Sequence, residues 1–300
     1  MKRGAIFFAV LLVGLAALYY SQRRRETTPV SANAIVAMAA DAQRDLTRAP
    51  MRFTRLSDHE EIEIGNDLAQ KYSISEAKLS PKEQALQNYV DHVGTSLAGH
   101  AHRRLPYSFH LLPDRGMMNA FSLPGGGIYV GEGLLDLMTS EDELAFVIGH
   151  ELEHIDHYHC AERVQIEAQL RHLNLDIVGA ILQIPITVWE AGYNKDEELE
   201  ADREGLRVAV LAGYSPYGAV SLFEEYAKLH REYVIQAQSP EEELSELAIQ
   251  SLQGYFRSHP LPSERLSQAK AVIVQERWEG RKTQKPFRIE YEVHNGEYVK

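Results

Sequence analysis

Apolar and polar positions divide the chain into a uniformly apolar start and a longer body in which apolar residues recur periodically. Residues 4–22 carry no charge, and basic residues border this run on both sides. A helix of about 18 residues rises about 27 Å, close to the lower limit for crossing a bilayer. We therefore expect residues 1–25 to be an uncleaved membrane anchor, with a cleaved signal peptide as the alternative. Residues 26–52, rich in Ala, Thr and Ser, are expected to be a tether.

Helical periodicity dominates the body of the chain. Apolar residues spaced three and four positions apart predict a helix that reaches Tyr72 and a second helix that begins at Pro81. A further helix begins after Ser140, because Ser140 and Glu143 have the spacing of a capping box. The pattern predicts one mainly helical α+β domain over residues 53–275.

Strand-like segments lie between the second and third of these helices. Alternating or β-prone residues predict strands at 107–112, 117–123 and 128–130, the last two joined by a turn rich in Pro and Gly. Residues 276–300 are expected to be a β-rich extension, since 288–293 alternate and meet Asn295-Gly296, a hairpin signal. The domain should therefore contain a small sheet, and a second β element should follow it.

The helix after Ser140 contains His150-Glu151-Leu152-Glu153-His154. Histidines four residues apart project from the same helix face and can bind one Zn²⁺, while Glu151 can accept a proton from the attacking water. Chance alone predicts about 0.06 such motifs in a chain of this composition. The alternative is a solvated charged face, which fits poorly because apolar residues surround both histidines. His157 and His159 are expected to extend this helix in surface or hydrogen-bonding roles.

A third zinc ligand is expected from a later helix. The pattern with a third histidine six residues after the second is excluded, because Cys160 occupies that position. If residues 195–205 are helical, Glu198 and Asp202 lie on an otherwise small and apolar face. A carboxylate on such a face is costly unless it is paired or bound to a metal. Glu198 is therefore the predicted third ligand, and Asp202 is a candidate to orient a histidine.

Charge and cysteine content exclude several classes of protein. The net charge is −12, but residues 1–25 carry five basic and no acidic side chains, so the other 275 residues carry 26 basic and 43 acidic side chains, a net −17. A general nucleic-acid binder needs a basic surface and is therefore not expected. The single cysteine excludes a disulfide within the chain and a four-cysteine metal site.

The two motifs together resemble the M48 family of zinc metallopeptidases, which contains CAAX prenyl endopeptidases and HtpX-like and BepA-like proteases. The similarity extends over most of residues 55–275. It includes three further stretches, which are Asn119 to Gly126, Gly131 to Leu135, and Ser258-His259-Pro260 with Arg265. The resemblance implies a zincin-like domain whose edge strand borders the active-site cleft. A single-domain form is expected, because residues 214–300 lack the 34-residue helical period of a tetratricopeptide tail.

The resemblance also implies roles for single residues. His150, His154 and Glu198 would hold one zinc ion per chain, with Glu151 as general base and Asp202 beside the site. His259 would be a fourth ligand or a gate, and Arg265 would take part in gating or in stabilising an oxyanion. The strand residues Asn119, Ala120 and Phe121 would bind an extended substrate.

The sequence therefore predicts a zinc-dependent endopeptidase that acts on membrane-associated or misfolded envelope proteins. The alternative is a zinc-binding chaperone or assembly factor with little proteolysis, although such a protein would not need Glu151. The expected partners are a protein or peptide substrate and, through the N-terminal helix, a membrane. The catalytic domain is expected in a bacterial periplasm, either anchored there or secreted after signal cleavage.

Overall fold

The computed structural model describes residues 55–70, 78–171, 193, 195–233 and 262–287. The predicted anchor, the tether, His259 and the hairpin at 288–293 lie outside the described residues. Among the helices that are described, none combines the length and apolar character needed to cross a membrane. The chain divides into two compact units, residues 1–57 with 161–181 and residues 58–160 with 182–300. The second unit contains the fold and the site described below.

Most of the described chain is helical. The helices are α1 (Asp58–Ala69), α2 (Pro81–Ala98), α3 (Glu132–Leu137), α4 (Glu141–Asp156), α5 (His159–Arg171), α6 (Lys195–Leu211), α7 (Tyr217–Tyr233) and α8 (Pro262–Gln275). The strands are β1 (Ser108–Leu112), β2 (Ala120–Ser122) and β3 (Gly127–Gly131). The predicted mainly helical α+β class is therefore confirmed.

The three strands form a mixed sheet in the order β1-β3-β2. β1 runs parallel to β3, and β2 pairs antiparallel to β3 with Phe121 opposite Tyr129. β2 is shorter than the predicted strand over 117–123, because the carbonyl of Met117 accepts a hydrogen bond from Leu134 in α3 instead of from a strand. The short strand β2 lies at the edge of the sheet and contacts α4.

Helix α4 is the centre of the second unit. The predicted capping box is present: the Ser140 hydroxyl accepts from the Glu143 amide, and the Glu143 carboxylate accepts from the Ser140 amide. Every residue from Asp142 to Asp156 is buried, since α4 packs against α2, α6, α7 and β2. A helix enclosed in this way holds its side chains in fixed positions, which a catalytic site requires.

Two glycines allow α4 and α6 to approach until their backbones touch. A Cβ atom at Gly205 would lie 2.6 Å from the His150 amide nitrogen, and one at Gly149 would lie 2.7 Å from the Gly205 carbonyl oxygen. Both atoms belong to buried backbone, so neither can move aside as a flexible side chain would. The crossing at Gly149 and Gly205 therefore sets the distance between the two helices that carry the predicted ligands.

Replacing Gly205 with alanine is expected to lower the free energy of unfolding by about 1–3 kcal/mol, even though alanine favours helix formation. The added methyl group would push α6 away from α4, and zinc affinity should fall as well. Urea denaturation and zinc titration of the variant measure the two effects. Gly280→Ala is the matched control, because a Cβ there meets nothing within 4 Å. Equal stability of the two variants would contradict the role assigned to the crossing.

Candidate active site

The two histidines of α4 and one glutamate of α6 form a compact group of metal-binding atoms. Nε2 of His150 lies 3.1 Å from Nε2 of His154. The Glu198 carboxylate oxygens lie 3.5 Å from the first of these nitrogens and 3.7 Å from the second. All three side chains are buried. Zinc bonds of about 2.0–2.1 Å in a tetrahedral arrangement separate neighbouring ligands by roughly 3.3 Å, so this group fits zinc.

Glu198 occupies a position that disfavours its charged form. Its side chain is fully buried, and this burial raises its pKa to about 7, although His150 and Arg265 act in the opposite direction. The amide of Tyr193 lies 3.4 Å from Oε1 of Glu198 and donates to it. A carboxylate that is removed from water in this way is stabilised most effectively by a cation between it and the two imidazoles.

The other nitrogen of His150 is held by an ion pair. Nδ1 of His150 lies 2.9 Å from Oδ1 of Asp202, one turn after Glu198 on α6. Arg265 of α8 reaches both oxygens of Asp202, with distances of 2.5 and 2.7 Å. Burial alone would raise the pKa of Asp202, but the Arg265 guanidinium and His150 more than offset it and hold that pKa well below its usual range. A charged Asp202 favours a proton on Nδ1, so that Nε2 can serve as the metal-binding nitrogen.

His154 is held by His159, for which the sequence predicts a surface or hydrogen-bonding role but no contact with the site. Nδ1 of His154 lies 2.9 Å from Nδ1 of His159, and Nε2 of His159 lies 3.5 Å from a Glu200 oxygen. The predicted continuation of α4 through His159 is wrong, because α4 ends at Asp156 and Tyr158 adopts a φ of 66°. The turn at Tyr158 starts a new helix and directs His159 back towards His154.

Glu151 points towards the sheet. The Ser122 hydroxyl at the end of β2 donates a hydrogen bond of 2.9 Å to Oε2 of Glu151. The Cys160 sulfur lies 3.3 Å from the same hydroxyl. Burial raises the pKa of Glu151, an effect that His150 and Ser122 reduce. The family resemblance predicts that this strand borders the cleft, but no local pattern predicts that Ser122 contacts Glu151.

The other predicted site residues lie at the edge strand β2 or, in the case of Arg265, beside Asp202. Ala120 and Phe121 belong to β2 and are buried, with the Phe121 ring stacked on Tyr129 at 5.1 Å. Asn119 precedes β2, and its side-chain oxygen accepts from the Ala120 amide. Arg265 is only 2 % exposed and is committed to Asp202, with Nη2 also 3.4 Å from Nδ1 of His150. Its predicted contact with an oxyanion stays a prediction.

The chain is similar to several known proteins. The sequence profile of peptidase family M48 matches residues 82–273, which is more than half of the chain. A beta-barrel assembly-enhancing protease of Yersinia pestis is 27% identical over 204 residues, 62% of this chain and 38% of that protein. The metalloprotease LoiP of Escherichia coli is 25% identical over 211 residues, 67% of this chain and 79% of that protein.

A relative from a eukaryote matches a shorter part. The mitochondrial metalloendopeptidase OMA1 of Arabidopsis thaliana is 33% identical over 124 residues, 40% of this chain and 26% of that protein. The chain spans about two fifths of the length of the beta-barrel assembly-enhancing proteases that it matches.

Proposed function

Because this chain belongs to peptidase family M48, we propose that it is a zinc-dependent endopeptidase. The observation that carries the proposal is the buried group of His150, His154 and Glu198, with Glu151 next to the first histidine. Three protein ligands leave one position of a tetrahedral zinc ion open, as in catalytic rather than structural sites. The family model and the relatives named as proteases support the same reaction.

Zinc, when bound, would polarise the scissile carbonyl and acidify a water molecule. Glu151 accepts the proton of the attacking water and then passes it to the leaving amine as general base and acid. Burial raises the pKa of Glu151, which favours its acceptance of a proton from the water. Ser122 fixes the orientation of Glu151 through the hydrogen bond to Oε2.

The substrate would bind as an extended strand. β2 is an edge strand of the sheet, and its last residue contacts Glu151. A peptide paired beside Asn119, Ala120 and Phe121 would therefore pass close to the general base. His259 stays a proposed fourth ligand or gate. Asp202 and His159 act as positioning residues. Each contacts Nδ1 of one histidine, and Nε2 of the same histidine would bind the zinc.

The proposed substrates are membrane-associated or misfolded proteins of the cell envelope. The support is the likeness to bacterial proteins named beta-barrel assembly-enhancing proteases, together with the apolar run at residues 4–22. We place the catalytic domain in the periplasm, anchored by residues 1–25 or released after signal cleavage.

Metal removal tests the proposed activity directly. The full chain is expected to cleave casein, to lose this activity after treatment with 1,10-phenanthroline, and to regain it with one equivalent of zinc but not of magnesium. Mass spectrometry of the product peptides shows whether the cleaved bonds lie inside the casein chain. A chain that retains stoichiometric zinc but cleaves neither casein nor a membrane protein would contradict the proposal and favour the chaperone alternative.

A further inference from the structure

A second group of metal-binding side chains lies at the C-terminal end of α4. Glu153 and Asp156 are three residues apart and share a helix face, and His102 approaches them from the loop after α2. One ligand atom from each of these residues lies within 4.8 Å of the others. None of them belongs to the proposed catalytic site.

Glu153 is the unusual member of this group. Its carboxylate is completely buried, and neither oxygen accepts a hydrogen bond from the part of the chain that the structure describes. Nε2 of His157 lies 3.1 Å from Oε2, and the proximity of this carboxylate raises the pKa of His157. Buried carboxylates are normally hydrogen-bonded or bound to a cation, so a cation bound beside Glu153 would stabilise it.

Asp156 is fixed in place by several donors. Oδ2 accepts from the His102 amide at 2.6 Å, while Oδ1 accepts from the Arg103 amide at 2.9 Å and from the Tyr107 hydroxyl at 2.7 Å. Nδ1 of the His102 ring lies 3.3 Å from Oδ2, and this side chain is 81% exposed. The group therefore combines a rigid buried carboxylate with an imidazole that is open to solvent.

The Arg103 guanidinium, beside the end of α4, is paired with carboxylates outside this group. The Arg103 guanidinium forms ion pairs with Glu61 at 2.9 Å and with Asp58 at 2.7 Å, and donates to the Ile155 carbonyl. Its charge is thus balanced by two other carboxylates.

We propose that Glu153, Asp156, His157 and His102 bind a second divalent cation of the zinc class. Two carboxylates and two imidazoles are donors that zinc prefers. Nε2 of His157 faces Glu153, and the cation would bind there in place of a proton. The cation would connect the loop of His102 to the end of the catalytic helix, in addition to the one zinc ion predicted from the sequence.

The number of bound ions tests this site. The untagged full chain is stripped with EDTA, dialysed against micromolar free zinc, and its zinc content is measured by mass spectrometry. His102→Ala is expected to bind one ion per chain fewer than the wild type, because its exposed side chain can be removed without disturbing the core. His92→Ala, which removes an exposed histidine of α2, should bind as many ions as the wild type.

A second variant tests whether the loss of the ion in His102→Ala is an indirect effect of that substitution. Glu153→Gln keeps the shape of the side chain and removes its charge, and it is also expected to lose one ion while circular dichroism stays unchanged. Equal zinc content in the wild type, His102→Ala and Glu153→Gln would overturn the proposal. The same loss in His92→Ala would also overturn it, because the additional zinc would then be bound nonspecifically by surface histidines.

Discussion

Replacing Glu151 with glutamine is expected to lower kcat for peptide cleavage about 10²- to 10⁴-fold, the range that a positioned general base contributes. Glutamine has the same size but does not accept a proton from water. The amide can still accept the hydrogen bond from Ser122, so the local packing should persist. Steady-state cleavage of a fluorogenic peptide, with the zinc content measured in parallel, gives the result.

The zinc content of this variant is the necessary control. Glu151 is not among the three ligands, so the variant should bind as much zinc as the wild type. Glu153→Gln, two residues away on the same helix, serves as the matched variant and should keep most of the catalytic activity. Undiminished cleavage by Glu151→Gln would show that another group acts as the base.

Replacing Arg265 with methionine is expected to lower the free energy of unfolding by about 3–5 kcal/mol, because it leaves the charge of Asp202 buried without its partner. Both side chains of this ion pair are at most 3% exposed. Zinc affinity should also fall, since Asp202 would no longer be held in position to accept the hydrogen bond from Nδ1 of His150. Urea denaturation of the zinc-free chain separates the first effect from the second.

Two further variants test whether the buried, unpaired charge of Asp202 causes the loss of stability. Adding Asp202→Asn to Arg265→Met removes the unpaired charge and should restore part of the lost stability. Lys270→Met breaks an ion pair with Glu224 in which both side chains are more than half exposed, and should cost less than about 1 kcal/mol. If Lys270→Met lowered the free energy of unfolding as much as Arg265→Met, burial of the ion pair would not explain the loss of stability.

Local sequence patterns predict much of this fold. The capping box at Ser140 and the spacing of His150 and His154 depend on residues a few positions apart, and helix geometry alone determines where their side chains point. The face shared by Glu198 and Asp202 follows from the same periodicity, and the structure buries both. The small sheet follows from alternation and from the turn at 124–127, although β2 is shorter than predicted.

The remaining features depend on contacts between distant parts of the chain. The approach of α6 to α4 needs Gly149 and Gly205. They are 56 positions apart, and no local pattern predicts that these two glycines meet. His159 reaches His154 only because the chain turns at Tyr158, whose positive φ is unusual for a tyrosine. The contact of Ser122 with Glu151 depends on which sheet edge packs against α4. Periodicity within one element contains none of this information.

The ion pair between Asp202 and Arg265 has a consequence for the synthesis of the protein. His150 leaves the ribosome 115 residues before Arg265, which approaches it in the folded state. A chain interrupted before α8 contains His150, His154, Glu198 and Glu151 but lacks the cation that balances Asp202. The site therefore reaches its stable form only after α8 has been synthesised and has packed against α6.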